Sequence, residues 1–351
     1  MRVGGPPDRL VRAGTEAELV EAVREADAAG TPVLVVGGGS NLVVADEGFR
    51  GTVVRVETRG VSVPAASACG GVTVTAAAGE VWDDLVARAV EEGWSGIEAL
   101  SGIPGSTGAT PVQNVGAYGQ EVAQTVARVR TWDRQEQRVR TVFPADCGFS
   151  YRHSVLKESM RAPWAPTPRY VVLDVTFQLR AGGLSEPVAY ADLARGLGVQ
   201  PGERVPLVRA REAVLEQRRR RGMVLDARDH DTWSCGSFFT NPVLGEEQFA
   251  ALRERAARRL GPEAPPVPGF PGADGTVKTS AAWLIDRAGF AKGHGLPGPA
   301  ALSGKHTLAL TNRGGARAAD VLALAREVRD GVEAAFGVRL VNEPVLVGLE
   351  L

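Results

Sequence analysis

The chain has 351 residues, of which 44% are hydrophobic and 6% are aromatic. This length is too great for one small domain and predicts two or three domains with mainly aliphatic cores. Lysine and arginine number 40 against 41 aspartates and glutamates, a formal net charge of -1, and this balance argues against a protein that binds nucleic acid through a general positive field.

The first part of the chain predicts mixed helices and strands. Thr15 and Glu18 fit a capping box at the start of a helix that Gly30 ends. The later elements, in chain order, are predicted as strands over residues 32–36, 42–45, 52–56 and 72–76, a helix over 81–92, and strands over 126–132, 138–143 and 170–179. This mixture predicts an α+β domain over residues 1–180.

The second part of the chain, residues 181–351, is expected to form a separate α+β domain. Its predicted elements are helices over 207–221, 280–288 and 318–336 and strands over 340–341 and 345–347. The first of these helices ends in four arginines, Arg218 to Arg221. Residues 262–275 are rich in proline and glycine, which predicts a surface loop.

A glycine turn, Gly37–Asn41, follows the strand predicted at 32–36. A Rossmann fingerprint would need a glycine where Leu42 stands and a helix after it, whereas another strand follows. Consecutive N–H groups in a glycine turn can still bind an anion without a helix. On this motif alone, an ordinary turn and a phosphate-binding turn both remain open.

A second loop, from Ala99 to Gln120, contains no charged residue and is rich in glycine, serine, threonine and proline. Small residues let a ligand approach the backbone closely, and amides and hydroxyls offer neutral hydrogen-bonding groups. A surface loop without a ligand has little reason to avoid charge over such a length. Two such loops in one domain favour a bound dinucleotide.

Ordered motifs along the whole chain resemble the UDP-N-acetylenolpyruvoylglucosamine reductases, also called UDP-N-acetylmuramate dehydrogenases. The matching runs are Gly37–Leu42, Gly96–Gly119, Tyr151–Lys157, Gly236–Pro242, Ala282–Asp286 with Lys292–Gly293, and Asn342–Pro344. The resemblance implies an α+β fold with a vanillyl-alcohol-oxidase/PCMH-type FAD-binding domain over residues 1–180 and a C-terminal α+β substrate-binding domain over 181–351. It also implies FAD and NADPH as cofactors, a UDP-sugar substrate, and the muramic-acid step of peptidoglycan synthesis.

The resemblance assigns the two loops to FAD. The residues implied are Gly37, Gly38, Gly39, Ser40, Asn41 and Leu42 in the first loop, and Ile103, Pro104, Gly105, Ser106, Gly108, Ala109, Thr110, Gln113, Asn114, Gly116, Ala117 and Tyr118 in the second.

Three residues occupy the family's catalytic positions: Ser237, Arg152 and Glu343. The resemblance implies that Ser237 donates the proton that accompanies hydride transfer, although Gly236-Ser237 alone is more typical of a turn before a buried pair of phenylalanines. An arginine at position 152 can hold a substrate carboxylate through two parallel hydrogen bonds, and Glu343 is expected to act with it. The run Asn342-Glu343-Pro344 departs from the Pro-Glu-Val usual in the family, so the resemblance supports the position of Glu343 more strongly than the local turn.

Positions that match the family's substrate-binding residues are Tyr151, Arg152, Tyr190, Arg221, Asn241, His306 and Glu343. Tyr190 is typical of a subtype in which a loop folds over the substrate. Arg221 stands where the family commonly has a lysine that contacts the diphosphate of the substrate. An arginine keeps the positive charge of that lysine but changes the geometry of its hydrogen bonds. A solvated helix end remains open for the arginine cluster, and a surface histidine for His306.

Cys69, Cys147 and Cys235 form no CxxC pair, and the histidines show no HExxH-like spacing. The sequence therefore predicts neither a disulfide framework nor a protein-held metal. The first residues do not resemble an apolar signal segment, and no run approaches the ~18 apolar residues of a membrane span. A cytoplasmic, monomeric enzyme with no nucleic-acid or membrane partner is expected.

Two alternatives remain open from the sequence. An oxidase or dehydrogenase of the same FAD fold would share the glycine loops but would not need Gly236–Pro242 or Glu343. A non-catalytic nucleotide-sugar binding protein would need neither flavin nor Ser237.

Overall fold

The computed structural model of the chain describes residues 1–67, 71–261, 263–272 and 275–351. The chain forms two compact units. The larger unit comprises Pro7–Gly39 and Phe49–Val224, and the smaller unit comprises Met1–Pro6, Ser40–Gly48 and Leu225–Leu351. Because residues 181–224 belong to the larger unit, these units do not coincide with the predicted division at residue 180.

Over the described residues, the helices are α1 Glu16–Ala28, α2 Trp82–Glu91, α3 Val155–Glu158, α4 Ala191–Leu197, α5 Leu207–Arg220, α6 Glu246–Leu260, α7 Ala281–Ala288 and α8 Ala318–Phe336. The strands are β1 Pro7–Ala13, β2 Val33–Val36, β3 Leu42–Val44, β4 Phe49–Val56, β5 Val61–Ser67, β6 Gly71–Ala77, β7 Trp94–Ser95, β8 Gly116–Ala117, β9 Gln120–Glu121, β10 Val126–Asp133, β11 Arg138–Val142, β12 Tyr170–Ala181, β13 Val243–Gly245, β14 Gly269–Pro271, β15 Thr276–Thr279, β16 Ala300–Leu302, β17 Leu310–Asn312 and β18 Val345–Val347.

The larger unit is built on two sheets. A parallel sheet has the order β1-β4-β2, and an antiparallel sheet has the order β11-β10-β12-β6-β5 with β7 paired to β12. Trp82 on α2 and Phe177 on β12 are fully buried in its main core, and α4 and α5 enclose a smaller cluster around Leu193 and Val214. Because protein cores are closely packed, the sheets and helices of this unit form a rigid support for the two glycine loops.

The smaller unit packs α6, α7 and α8 around an apolar core. Buried positions recur along α8 at Val321, Leu322, Ala325, Val328 and Val332, as an amphipathic helix requires. Its strands form the sheet β13-β15-β14, the pair β16-β17 and the parallel pair β18-β3.

Most of the predicted elements are confirmed. Thr15 and Glu18 form the capping box of α1, and the polar run at 99–120 is mainly a loop with short helical turns, which also contains the short strand β8 and the first residue of β9. Two element predictions are wrong: Leu340 and Val341 do not form a strand, and the predicted loop at 262–275 contains strand β14. Cys69 and residues Pro262, Ala273 and Asp274 lie outside the described residues.

Candidate active site

The two glycine loops predicted from the sequence meet within the larger unit. Gly37 and Gly38 follow β2 directly, and they lie against the turn at Gly105 and Ser106. A Cβ atom built on Gly37 would stand 2.0 Å from Ser106 Oγ, and one on Gly38 would stand 3.1 Å from Gly105 Cα. A side chain at Gly37 would therefore clash, and one at Gly38 would fit only if the neighbouring backbone shifted by a few tenths of an ångström, so the close approach favours glycine at both positions.

The second loop is held against the start of α2. The Gly105 carbonyl accepts a 3.0 Å hydrogen bond from the Trp82 amide, and the Thr107 amide donates 2.8 Å to the carbonyl of Glu80. The Gly102 amide donates 2.6 Å to the Asp83 carboxylate, which also accepts from the Arg211 guanidinium. These bonds fix the loop backbone, so its polar groups are pre-organised for a ligand.

The hydroxyl of Thr107 is a feature that the sequence prediction missed. This residue is fully buried, and Oγ1 has no hydrogen-bond partner among the described residues. A buried hydroxyl without a partner costs free energy and calls for an explanation such as a bound polar group. The sequence signal that could have identified Thr107 is its position between Ser106 and Gly108, in the run that the resemblance assigns to FAD. The tight glycine contact and this unpaired hydroxyl fit the pyrophosphate of a dinucleotide.

Asn114 organises the far end of the second loop. It is buried, has a positive φ of 48°, and its side-chain amide donates to Glu121 Oε2 at 2.8 Å and to the Ser150 carbonyl at 3.0 Å. Its Oδ1 accepts the amide of Ala123 at 3.1 Å. Asn114 therefore connects the glycine loop to the segment that carries Tyr151 and Arg152.

Arg152 lies beside the same loop. It adopts a positive φ of 56°, unusual for a non-glycine residue. Its Nη2 donates a 3.0 Å hydrogen bond to the Gly116 carbonyl, and its guanidinium carbon stands 5.3 Å from the centre of the Tyr151 ring. The Lys157 amino group donates to the Arg152 carbonyl at 3.1 Å. The structure thus brings Gly116, Tyr151 and Arg152 together, with a strained backbone of the kind that occurs at functional sites.

Tyr118 and Tyr190 form a second group in the larger unit. Their rings meet edge to face with centroids 5.7 Å apart, and Tyr190, which precedes α4, remains 43% exposed. Burial raises the pKa of Tyr118, partly opposed by the charges of Arg218 and Arg221. Arg221 Nη2 donates to Asp192 Oδ2 at 3.2 Å.

The arginine run at the end of α5 is not uniformly solvated. Arg219 and Arg220 are exposed, whereas Arg218 is partly buried against Gly102, and its Nε has no partner among the described residues. Burial lowers the pKa of Arg218, while Tyr118 and Asp83 oppose that effect. The prediction, which named Arg221 alone as a binding residue, overlooked Arg218.

In the smaller unit, Ser237 and Glu343 lie on adjacent extended segments. The amide of Glu343 donates a 2.8 Å hydrogen bond to the carbonyl of Phe238, and Phe239 forms an isolated antiparallel β-bridge with Asn342. The Asn342 side chain donates to the Pro344 carbonyl at 2.8 Å, which stabilises the turn that departs from the family pattern. The segments that carry the two predicted catalytic residues of this unit are therefore paired with each other.

The end of the first glycine loop is tied to the Glu343 segment. Asn41 Nδ2 donates to the Glu343 carbonyl at 3.5 Å, and the amide of Val345 donates to the Asn41 carbonyl at 3.0 Å. Leu42 then pairs with Val345 as β3 and β18 run parallel. Ser40, Asn41 and Leu42 thus belong to the smaller unit, whereas Gly37–Gly39 belong to the larger one.

His306 and Asn241 also lie in the smaller unit. His306 is part of a turn from Ser303 to Ala309, in which its amide donates to Ser303 Oγ at 3.3 Å. The carbonyl of Leu308 in this turn accepts the Phe238 amide at 2.7 Å, so the turn adjoins the Ser237 loop. Asn241 Oδ1 accepts the Ala281 amide at 3.0 Å and thereby caps the start of α7.

Comparison with known proteins decides the family. Residues 228–347 match the model of the UDP-N-acetylenolpyruvoylglucosamine reductase C-terminal domain, and residues 7–141 match an FAD binding domain. The UDP-N-acetylenolpyruvoylglucosamine reductase of Streptomyces coelicolor is 58% identical over 351 residues, which cover 100% of this chain and 88% of that protein. The chain belongs to the UDP-N-acetylenolpyruvoylglucosamine reductase family.

Further similarities agree with this reductase assignment. The Thermobifida fusca UDP-N-acetylenolpyruvoylglucosamine reductase is 55% identical over 349 residues, covering 99% of this chain and 95% of that protein. The crystal structure of the Thermus caldophilus UDP-N-acetylenolpyruvylglucosamine reductase superposes with a TM-score of 0.61 at 24% identity, covering 96% of this chain and 91% of that one. The predicted family, α+β fold class with a PCMH-type FAD-binding domain, and FAD cofactor are confirmed.

Two further properties of this reductase concern metal ions and membranes. Within the described ranges, no group of histidine, cysteine, aspartate and glutamate side chains is arranged to hold a metal ion. Over the same part of the chain, none of the helices has the length and apolar character that crossing a membrane requires.

Proposed function

We propose that this oxidoreductase reduces the enolpyruvyl group of UDP-N-acetylglucosamine enolpyruvate to give UDP-N-acetylmuramate, with NADPH as the reductant. The observation that carries the proposal is the hydrogen-bonded pairing of the Ser237 loop with the Glu343 segment, in a chain of this reductase family. An oxidase of the same fold would not need the Ser237 loop and the Glu343 segment to be paired. The reaction would serve peptidoglycan synthesis in the cytoplasm.

The FAD site is assigned to both glycine loops. Gly37, Gly38, Gly105 and Ser106 would let the pyrophosphate approach the backbone, and Thr107 would offer it a buried hydroxyl. Bound FAD would supply hydride transfer from NADPH to one carbon of the enolpyruvyl double bond. The chain's own residues would have to orient the substrate and deliver one proton.

Ser237 is assigned as the donor of that proton. Hydride adds to one carbon of the double bond, and the neighbouring carbon, on which negative charge develops, takes the proton of the Ser237 hydroxyl. Solvent then restores the proton to Ser237, so the sum is one NADPH and one proton consumed for each double bond reduced. A hydroxyl is a weak acid, and its use requires close positioning and stabilisation of the charge that moves.

Arg152 and Glu343 are assigned to the substrate carboxylate. A guanidinium keeps its charge and offers a planar pair of donors, which would stabilise the enolate form of the substrate by about 3 kcal/mol if it resembles other oxyanion donors. The aromatic contact with Tyr151 and the bond to Gly116 leave Arg152 few alternative orientations. Tyr151, Tyr190, Arg221, Asn241 and His306 are assigned to the rest of the UDP-sugar.

Anaerobic stopped-flow spectroscopy tests this function. The purified flavoprotein is reduced with one equivalent of NADPH and then mixed with UDP-N-acetylglucosamine enolpyruvate, and the return of the visible flavin absorbance is followed. Rapid reoxidation with formation of UDP-N-acetylmuramate supports the proposal. UDP-N-acetylglucosamine, which lacks the double bond, serves as the control and must leave the flavin reduced.

Two results would contradict the proposal. A reduced flavin that reacts with oxygen but not with the enolpyruvyl sugar would favour an oxidase of the same fold. A purified protein that binds the UDP-sugar without carrying flavin would favour a binding protein.

A further inference from the structure

We propose that Asp231 is a positioning residue for the reduction of the UDP-sugar. It holds the turn Ser303–Ala309, which carries His306, against the loop that carries Ser237. The inference rests on the proposed function and deepens it, because it names a residue outside the predicted site that would set the substrate geometry.

The Asp231 carboxylate makes two hydrogen bonds to separate segments of the smaller unit. Its Oδ1 accepts the Gly304 amide at 2.9 Å and Nη1 of Arg313 at 2.8 Å. The Asp231 side chain is only 15% exposed. A charged acceptor that is largely shielded from water holds its donors more firmly than an exposed one.

The turn is attached to the Ser237 loop at a second point. The Phe238 amide donates to the Leu308 carbonyl at 2.7 Å, and Phe238 itself is fully buried. Asp231 precedes Ser237 in the chain and Phe238 follows it, so the two attachments flank the serine. The turn joins the paired strands β16 and β17, and the two attachments add to this hairpin by tying the turn to the loop that carries Ser237.

The internal hydrogen bonds of the turn show what Asp231 adds. Ser303 Oγ accepts the amides of Lys305 at 3.0 Å and His306 at 3.3 Å, and the Ser303 amide donates to the Ala309 carbonyl at 2.8 Å. The turn therefore keeps its own shape without outside help. Asp231 sets where this preformed turn lies, and thereby where His306 lies relative to Ser237.

Asp229 supports the same arrangement from two residues upstream. It accepts the Asp231 amide at 3.0 Å and pairs with the Lys305 amino group, and this partner lowers the pKa of Asp229. The Lys305–Asp229 pair is more exposed than Asp231, with side chains 40% and 30% accessible. Exposed pairs contribute little, so we expect Asp231 to make the larger contribution.

The test compares Asp231→Ala, Asp231→Asn and Asp330→Asn in the full-length flavoprotein. Asparagine keeps an oxygen that can accept the Gly304 amide but removes the charge that faces Arg313. Asp330 is the matched control, because it is also an ion-paired aspartate of the smaller unit, bonded to Arg329 at 2.7 Å, and it lies on α8. Two quantities are measured: hydrogen exchange at the amides of residues 303–309 and Phe238, and the rates of the two half-reactions.

Asp231→Ala should exchange faster at the Gly304 and Phe238 amides. It should slow flavin reoxidation by the UDP-sugar at least about 10-fold, since small displacements of reacting groups cost rates of this order. Flavin reduction by NADPH should change less than about twofold. Asp231→Asn should show the same pattern to a smaller degree, and Asp330→Asn should match the wild type.

The outcomes separate this inference from the proposed function. Unchanged exchange in Asp231→Ala, or equal loss of both half-reactions, would overturn the positioning role. A wild-type protein that the UDP-sugar fails to reoxidise would overturn the proposed function and with it the catalytic consequence of Asp231. The exchange measurement would still decide whether Asp231 holds the turn.

Discussion

The amide of Glu343 donates a 2.8 Å hydrogen bond to the carbonyl of Phe238, the residue that follows Ser237. The pairing continues where the Thr240 amide donates to the Val341 carbonyl at 3.0 Å. Phe238 and Phe239 are buried in the core of the smaller unit, which anchors the Ser237 segment. Two segments distant in sequence, one with Ser237 and the other with Glu343, are thus paired through their backbones.

Ser237→Ala should separate the two half-reactions. Flavin reduction by NADPH requires no proton from Ser237 and should stay close to the wild-type rate. Reoxidation by the UDP-sugar should fall by a factor on the order of 10²–10⁴, the usual contribution of a positioned acid. Anaerobic stopped-flow measurements of each half-reaction provide the check.

Ser62→Ala is the control for this experiment, because Ser62 is an exposed serine of β5 outside the candidate site. It should leave both half-reactions intact. Equal slowing of both half-reactions in Ser237→Ala would show that the hydroxyl serves the loop rather than the proton transfer.

Arg152→Lys should lose activity although it keeps the charge. Lysine lacks the planar fork that can meet a carboxylate with two bonds, and it cannot reproduce the contacts with Tyr151 and Gly116. We expect kcat/KM for the UDP-sugar to fall by a factor on the order of 10²–10³. Arg161→Lys, at an exposed arginine of the same segment that pairs with Glu158, is the control. Wild-type kcat/KM in Arg152→Lys would refute the assigned role.

The buried thiols should be unreactive in the folded protein. Burial raises the pKa of Cys147 to about 11, with a smaller effect from Asp146, and burial also raises the pKa of Cys235, whose Sγ lies 3.3 Å from the Leu42 carbonyl. Because the thiolate is the reactive form, the native protein should react with a disulfide reagent at neutral pH roughly 10²-fold slower than a free cysteine. The measurement uses a Cys69→Ser background, with the unfolded chain as the reference.

These thiols also carry a pH dependence of stability. Folding favours the neutral thiol of Cys147, so its contribution is present below the unfolded pKa of about 9.0 and is lost as pH rises through about 11. Urea unfolding of Cys147→Ala should therefore show a weaker loss of stability over this interval than the parent. Rapid labelling of native Cys147 at neutral pH would contradict the buried environment.

Local signals in the sequence predicted the elements and the loops well. Thr15 and Glu18 identify the start of α1 because a capping box depends on residues three apart. The pairing of Phe238 with Glu343 could not be derived in this way, because register between distant segments depends on the folded core. The same holds for Asp231 and for the partial burial of Arg218, whose neighbours are remote in sequence.

The failed predictions have a related cause. Leu340 and Val341 are apolar residues in succession, which favours a strand, but a strand also needs a partner along its length. In the described structure this stretch has only irregular bonding to Thr240. The domain boundary at residue 180 stays a prediction: it followed the end of the run of predicted strands, whereas the larger compact unit also includes α4 and α5.

Gly37→Ala should disrupt the FAD site through a single steric contact. The added Cβ would stand 2.0 Å from Ser106 Oγ and 2.8 Å from Ser106 Cβ, distances that atoms in folded proteins do not tolerate. The two glycine loops would have to move apart, and the purified variant should retain less than about a tenth of the flavin. The ratio of visible to ultraviolet absorbance of the purified protein measures this loss.

A second substitution tests whether the contact itself is the cause. In Gly37→Ala/Ser106→Gly, the two clashing atoms, Oγ and Cβ of Ser106, are absent. The next nearest atom to the new Cβ is then the backbone nitrogen of residue 106, at 3.8 Å. The double variant should therefore regain flavin relative to Gly37→Ala, even though the Ser106 hydroxyl is lost. Gly315→Ala, at a glycine with nothing within 4 Å of its Cβ position, is the control and should keep full flavin. Flavin content in Gly37→Ala equal to the wild type would show that the two loops do not meet as described.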